Sequence, residues 1–224
     1  MNPVRAKTYP PIARNLLRGH RAYVSESLTN RVTMSEILLR QIFEWTRDKV
    51  GAFDILIGDY FHRHNLEDLD GLGEPGALQR AIADGKALAQ KTQSVLDSLA
   101  FSEVATRFAG DICAGPRFEE RLRAQLNLYE TNERYGHYIN VATDVFLRRF
   151  APARVTADAA RRHSRLYQLE ELAMFELLSG EGYSVNVYSG AHLPVMKEIV
   201  AGTLRGALPT LETLTLVELT FRTR

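Results

Sequence analysis

Cysteine is nearly missing from this chain: Cys113 is the single one in 224 residues. No disulfide can form within the chain, and a reducing compartment is expected. Uninterrupted apolar runs of membrane-spanning length are missing as well. The first twenty residues intersperse Arg5, Lys7, Arg14 and Arg18 with prolines instead of building an apolar signal core. Neither membrane insertion nor export is expected, which leaves the cytoplasm. There is no excess charge of either sign, because 28 basic and 27 acidic residues give a net charge of +1, so a polyanion would have to bind a local basic patch. No glycine-rich loop ends in Lys-Ser or Lys-Thr, and ATP hydrolysis loses its phosphate cradle. Neither a His-Glu-x-x-His register nor a cysteine pair occurs, so no specific metal signal remains. No serine has glycines two before and two after it, which removes the nucleophile elbow of a Ser-His-Asp hydrolase.

What is present is an ordinary globular composition, 45% hydrophobic and 25% charged, long enough for one well-filled domain. Pro3, Pro10 and Pro11 mark residues 1–19 as an irregular arm, leaving 20–224 as the domain. Strands are expected over 20–25, 53–57, 183–188 and 211–221, with a further strand containing a turn over 107–113. Thr33-Met-Ser-Glu36 reads as a capping box opening the first helix. Further helices are expected over 78–99, 116–134, 137–149, 157–178 (with Thr156 as cap) and 194–204. The acidic stretch 60–76 reads as a long solvated loop carrying His62 and His64. Its Gly71-Leu-Gly73-Glu-Pro-Gly76 matches a dinucleotide fingerprint as a string, but a polar stretch separates it from the preceding strand, so it reads as a turn before a helix. This order of elements predicts an α/β domain with a mainly parallel sheet flanked by helices. Ligands in such sheets sit at the carboxyl ends of strands.

Two segments carry the chemistry. Arg21-Ala-Tyr-Val-Ser25 reads as a buried strand delivering Ser25 to its carboxyl end, and Tyr167-Gln-Leu-Glu-Glu171 puts a phenol and a carboxylate on one helix face. Tyr188 ends a later strand and is placed to share the pocket. Cys113 reads as a small buried residue. Two arginine series, Arg117, Arg121, Arg123 and Arg161, Arg162, Arg165, read as solvated helix faces that a polyanion can use.

With these residues in place, the chain resembles the tRNA-dependent cyclodipeptide synthases. Tyr23-Val-Ser25 stands where that family has its nucleophilic serine, followed by Glu36-Ile-Leu-Leu39, Asp54-Ile-Leu-Ile-Gly-Asp59 and Asn65-Leu-Glu-Asp-Leu-Asp-Gly71. The most specific likeness is Tyr167-x-x-x-Glu171-x-x-Met174-Phe175, then Gly180 and Val185-Asn-Val-Tyr188, so that residues 20–200 match in order. The resemblance implies a Rossmann-like domain akin to the catalytic domain of class I aminoacyl-tRNA synthetases, working as a monomer without cofactor, metal, DNA or membrane. Its substrates would be aminoacyl-tRNAs. Ser25 would take the first aminoacyl group as an ester, Tyr167 and Glu171 would hold its ammonium, and a second aminoacyl-tRNA would donate an amine to give a dipeptidyl-enzyme. Tyr188 would assist closure to a diketopiperazine. Substrate contacts fall to Tyr23, which replaces a glycine of the family, and to Leu28, which replaces an asparagine. Phe118, in place of a tyrosine, and Phe175 complete that set. The basic patch for tRNA falls to Arg80, Lys86 and Lys91. Ser189 after the late tyrosine departs from the usual pattern. Two alternatives stand beside this reading: the same fold making a non-cyclic amide, which fits the departures at Leu28 and Ser189, and a non-catalytic domain binding tRNA or a small molecule.

Overall fold

The computed structural model describes residues 4–12, 14–30, 35–151, 153 and 157–221. Its centre is a six-stranded sheet, built from β1 (Val4–Tyr9), β2 (Ala22–Glu26), β3 (Phe53–Ile57), β4 (Thr106–Phe108), β5 (Val185–Tyr188) and β6 (Thr215–Phe221), in the order β1-β6-β5-β2-β3-β4. All neighbours run parallel except β1, which lies antiparallel on β6. The helices are α1 (Glu36–Lys49), α2 (Asp59–Leu69), α3 (Glu74–Ser98), α4 (Ala109–Cys113), α5 (Pro116–Thr131), α6 (Glu133–Phe150), α7 (Asp158–Gly180), α8 (Pro194–Val200) and α9 (Pro209–Glu212). Among the described residues no helix is long and apolar enough to cross a membrane.

Successive residues of a strand point to opposite faces, so a strand covered on both sides must be apolar at nearly every position. β3 satisfies this apart from Asp54, and β2 does so over Ala22, Tyr23 and Val24. Ala22, Val24, Ile55 and Ile57 pack into the layer that holds Leu39, Phe43 and Leu88 of α1 and α3. Tyr23 and Leu56 face the opposite layer, with Ile139 of α6 and Leu172 and Phe175 of α7. From β2 the chain moves outward to β3 and β4, and it later returns to place β5 on the other side of β2. The crevice between the carboxyl ends of β2 and β5 is therefore the switch point of the sheet, where such folds bind ligands.

Four expectations need correction. The arm over 1–19 is not irregular, for Val4, Ala6 and Thr8 alternate with Arg5 and Lys7 and extend the sheet as β1. The first helix begins at Glu36, where the Leu38 N–H donates to Ser35 Oγ at 3.4 Å; Thr33 and Thr156 lie outside the described residues. The 107–113 segment divides into β4 and α4. The stretch 60–76 is mostly helical, since α2 runs to Leu69 and α3 starts at Glu74. The physical reason lies in pairing: Arg63 meets Glu170 Oε1 at 2.6 Å, His64 Nε2 meets Glu170 Oε2 at 3.0 Å, and His163 Nδ1 meets Asp68 at 3.0 Å. These polar side chains are buried between α2 and α7, so the helix shows no apolar stripe.

α3 crosses the start of α2 at Gly85, where a Cβ would stand 2.5 Å from Asp59 Cβ. Asp59 in turn accepts the Gly110 N–H at 3.1 Å. Overpacking costs about 1–3 kcal/mol, and the helix propensity of alanine returns at most about 1 kcal/mol. Gly85→Ala is thus predicted to lower the unfolding free energy by a net of about 1 kcal/mol, read as a lower urea midpoint. A midpoint above that of the parent chain would contradict this packing.

Candidate active site

A cavity of about 430 Å³ opens at the switch point. Ser25, Tyr167, Glu171, Phe175 and Tyr188 all line it, together with Asn186, Ser27 and Asn30. Parallel pairing explains the first contact, because Ser25 is the register partner of Tyr188 and Tyr23 that of Asn186. Ser25 lies across from Asn186 at 3.0 Å, Oγ to Oδ1, with the hydroxyl donating. In that amide orientation the Tyr23 hydroxyl and Asn186 Nδ2 are both buried without partners. Turning the amide would let Nδ2 donate to Ser25 Oγ instead. Either way Asn186, which is fully buried, fixes the direction of the Ser25 oxygen.

Tyr167 and Glu171 are one turn apart on α7 and face Ser25 across the cavity. The adjacent Glu170 points to α2 and is locked there by Arg63 and His64, which holds the register of α7. Burial pushes Glu171 up to about 8. Burial raises Tyr167 and Tyr188 too, and the Glu171 charge adds to both. The phenols are therefore neutral donors at ordinary pH. Ser27 shares the cavity wall with both phenols, its Oγ 3.1 Å from Thr29 Oγ1. Gly190 is required beneath the later phenol, since a Cβ there would come within 2.8 Å of the Tyr188 ring. Asn30 Nδ2 donates to the carbonyl and hydroxyl oxygens of Ser189, each at 3.0 Å, tying the loop after β2 to the loop after β5.

Such an arrangement presents an oriented hydroxyl, a carboxyl that can hold or unload an amine, and neutral phenol donors. Apolar walls from Leu56, Phe61, Met174 and Met196 enclose it. Among the described residues, no group of three or more His, Cys, Asp or Glu side chains is arranged to hold a metal ion.

Not every expected residue reaches this cavity. Tyr23 lies in the core behind it, stacked on Phe175 with ring centroids 5.6 Å apart. Phe118 is buried edge-on to Tyr60 at 6.3 Å, and Leu28 packs against the layer under α1 and α3. None of these three lines the cavity. On α3, Arg80 is exposed and held by Asp84 at 2.9 Å, Lys86 is exposed, and Lys91 is half-buried with its charge acting on Glu26. Of the arginine series, Arg161 pairs with Asp144 at 2.5 Å and Arg165 donates to the Tyr129 hydroxyl at 2.8 Å.

Three residues at the cavity had drawn no attention in the sequence: Asn186, Ser27 and Glu26. Asn186 had a signal, a lone amide within a run of buried β-branched residues. Glu26 ends β2 on the face opposite Ser25, and burial pushes its carboxyl up to about 8 although the Thr92 hydroxyl donates to it at 2.8 Å. An unfolded glutamate titrates near 4.5, so between 4.5 and about 8 the folded chain keeps a proton that the unfolded chain releases. Stability therefore falls as pH rises through this window, by up to about 1.4 kcal/mol per pH unit. Glu26→Gln keeps an acceptor for Thr92 and removes this slope. The variant is predicted to match the parent at pH 4 and to exceed it at pH 8 in urea denaturation; equal slopes in the two proteins would refute the assignment.

Solved cyclodipeptide synthases share this fold. The structure of a cyclodipeptide synthase from Fluoribacter dumoffii matches with a TM-score of 0.82 at 20% identity, over 99% of this chain and 99% of that one. A Mycobacterium tuberculosis protein, whose structure demonstrates that cyclodipeptide synthetases are related to type I tRNA synthetases, matches with a TM-score of 0.72 at 17% identity, over 98% and 93%. The cyclodipeptide synthase from Candidatus Glomeribacter gigasporarum, solved with Phe-tRNAPhe bound, matches with a TM-score of 0.64 at 17% identity, over 93% and 91%. No protein-family model matches the chain, and no curated protein matches it in sequence.

Proposed function

We propose that this chain is an aminoacyl-tRNA-dependent cyclodipeptide synthase that works through an ester on Ser25. The observation that carries the reading is the meeting of Ser25, Tyr167, Glu171 and Tyr188 in one cavity at the switch point of a fold shared with cyclodipeptide synthases. Ser25 Oγ attacks the carbonyl carbon of an aminoacyl ester. The C–Oγ bond forms, the bond to the ribose oxygen breaks, and the hydroxyl proton passes to that oxygen. Glu171, with Tyr167 beside it, holds the ammonium and takes its proton. For the dipeptide to remain on Ser25, the attacking amine must come from the residue already esterified there. An amine donated by the second aminoacyl-tRNA would leave the dipeptide on that tRNA, so the expected direction of this step is reversed. The new free amine then attacks the ester on Ser25 and closes the ring. That a cyclodipeptide synthase of this fold was solved with Phe-tRNAPhe supports aminoacyl-tRNA as the substrate. Its phosphates are assigned to the α3 side, where Lys86 is exposed.

The test is the intact mass of the purified protein mixed with a complete set of charged tRNAs, with the small-molecule fraction analysed in parallel. A single aminoacyl adduct and a matching diketopiperazine are expected. An adduct with a linear or conjugated amide would select the non-cyclic alternative, to which Ser189 on the cavity wall points. Neither adduct nor product would leave a non-catalytic binding domain.

A further inference from the structure

The cavity has a rim that the ester chemistry does not use. Of the residues lining it, Thr29, Arg149, Phe150 and Ala191 are exposed, and the others are buried or half-buried. Phe150 closes α6 with 49% of its surface in water. Its ring is paired with that of Phe146, centroids 5.1 Å apart at 39°, and the Arg149 guanidinium lies 5.0 Å from its centroid. The helix dipole explains two arginines in the last turn of α6, Arg148 and Arg149. It does not explain an exposed aromatic ring at the edge of a cavity. Among the described residues no carboxylate pairs with either arginine, and Asp144, one turn earlier, is already held by Arg161 at 2.5 Å. At α6 the rim therefore joins a π-face to positive charge that nothing neutralises. At Thr29 and Ala191 it offers neither.

We infer that this part of the rim binds the terminal adenosine of the tRNA, with the adenine stacked on Phe150 and Arg149 paired with the phosphate on its 5′ side. The inference rests on the synthase reading and names the part of the substrate that stands outside the cavity. An aminoacyl group is esterified to the ribose of that adenosine. A cavity of about 430 Å³ has the size of a small-molecule pocket, so only the acylated end of a tRNA enters it. When the acyl carbonyl reaches Ser25, the base one ribose away is left at the rim. An unpaired base presents a flat π-face beside a phosphate, and aromatic rings with arginines are the side chains that take both. Arg149 is long and exposed, so its guanidinium can leave the Phe150 ring for the phosphate and yield that face to the base. The platform binds and orients, and takes no part in making or breaking bonds.

The probes are uncharged tRNA and the same tRNA trimmed of its terminal adenosine, each titrated with the parent protein, Phe150→Ala, Phe150→Tyr and Arg149→Gln. The parent is expected to bind the intact form about tenfold more tightly, within the range for one stacked base. Phe150→Ala should bind the intact form about tenfold more weakly and the trimmed form as the parent does, which removes the preference. Phe150→Tyr keeps the ring and should keep the preference. Arg149→Gln should weaken the intact form alone and reduce the slope of log affinity against log salt by about 0.7, the share of one phosphate on a single strand. Equal binding of the two forms by the parent, a preference that survives in Phe150→Ala, or equal weakening of both forms would overturn the site. Binding reads no chemistry, so the two readings fail separately. An aminoacyl adduct on a parent without the preference removes the adenosine site and keeps the synthase. The preference without any adduct removes the synthase and keeps the site, on a binding domain. A parent that binds neither form removes both.

Discussion

Ser25→Ala should abolish both the aminoacyl adduct and any amide product while leaving the chain folded. The cavity holds other hydroxyls, at Ser27, Ser164 and Ser189, so the expectation rests on geometry and not on residue type. Only Ser25 lies on the last turn of the central strand with its oxygen fixed by a fully buried amide, and only Ser25 is the register partner of Tyr188. Ser189 is engaged twice by Asn30, and Ser27 by Thr29. Removing a nucleophile typically costs far more than about 10³-fold in rate, because the remaining groups have nothing to activate. Stability should change little by comparison. The alanine leaves Asn186 without its hydroxyl neighbour, a cost of about 1–3 kcal/mol for an unpaired buried polar group. A melting curve with a single cooperative transition, together with no adduct by mass, is the expected pair of results. An adduct that persists in Ser25→Ala would move the nucleophile elsewhere in the cavity. Unaltered binding with no chemistry in either protein would favour the binding-domain alternative.

How much of this was readable beforehand depended on what each residue is buried against. β3 was visible because all five of its residues are buried, which demands an apolar run broken only by Asp54, whose carboxylate is paired with Arg21. α7 was visible because Leu172, Phe175 and Leu178 recur at helical spacing, and the same spacing put Tyr167 and Glu171 on one face. α2 was hidden for the opposite reason. Arg63, His64 and Asp68 are inside, satisfied by Glu170 and His163 on a helix about a hundred residues away. No local pattern reports a partner at that distance. β1 was obscured by the prolines around it, although its alternation of Val4, Ala6 and Thr8 is regular. Tyr23 illustrates a finer limit: the resemblance made it a substrate contact, but two residues before Ser25 along β2 the same face is already core under Phe175.

Glu171→Gln should separate stability from activity in opposite directions. Burial holds this carboxyl near 8, and no compensating partner opposes the shift. An unfolded glutamate near 4.5 gives up the proton that the folded one keeps, so the folded chain loses stability as pH rises from 4.5 to about 8. Because Glu171 also faces the cavity, the effect is smaller than for a sealed carboxyl, roughly 1–3 kcal/mol at pH 8. The glutamine carries no such penalty and is predicted to unfold at higher urea than the parent at pH 8, with the difference vanishing near pH 4. Activity should move the other way. An α-amino group titrates near 8 on its own, and a bound ammonium lowers the Glu171 carboxyl from its empty-cavity value, so adduct turnover should rise with pH toward about 8 as the pair loses a proton. At low pH both groups are protonated, and the carboxyl cannot accept. In the glutamine the acid limb set by Glu171 disappears and turnover falls by about 10²–10⁴-fold, the range for loss of a general base. A variant that is both more stable and nearly inactive cannot owe its inactivity to damage in the fold, because a carboxyl kept out of water for its chemistry costs stability wherever it is not used. Equal pH profiles in the two proteins would take Glu171 out of the proton step and leave it only as the anchor of the ammonium.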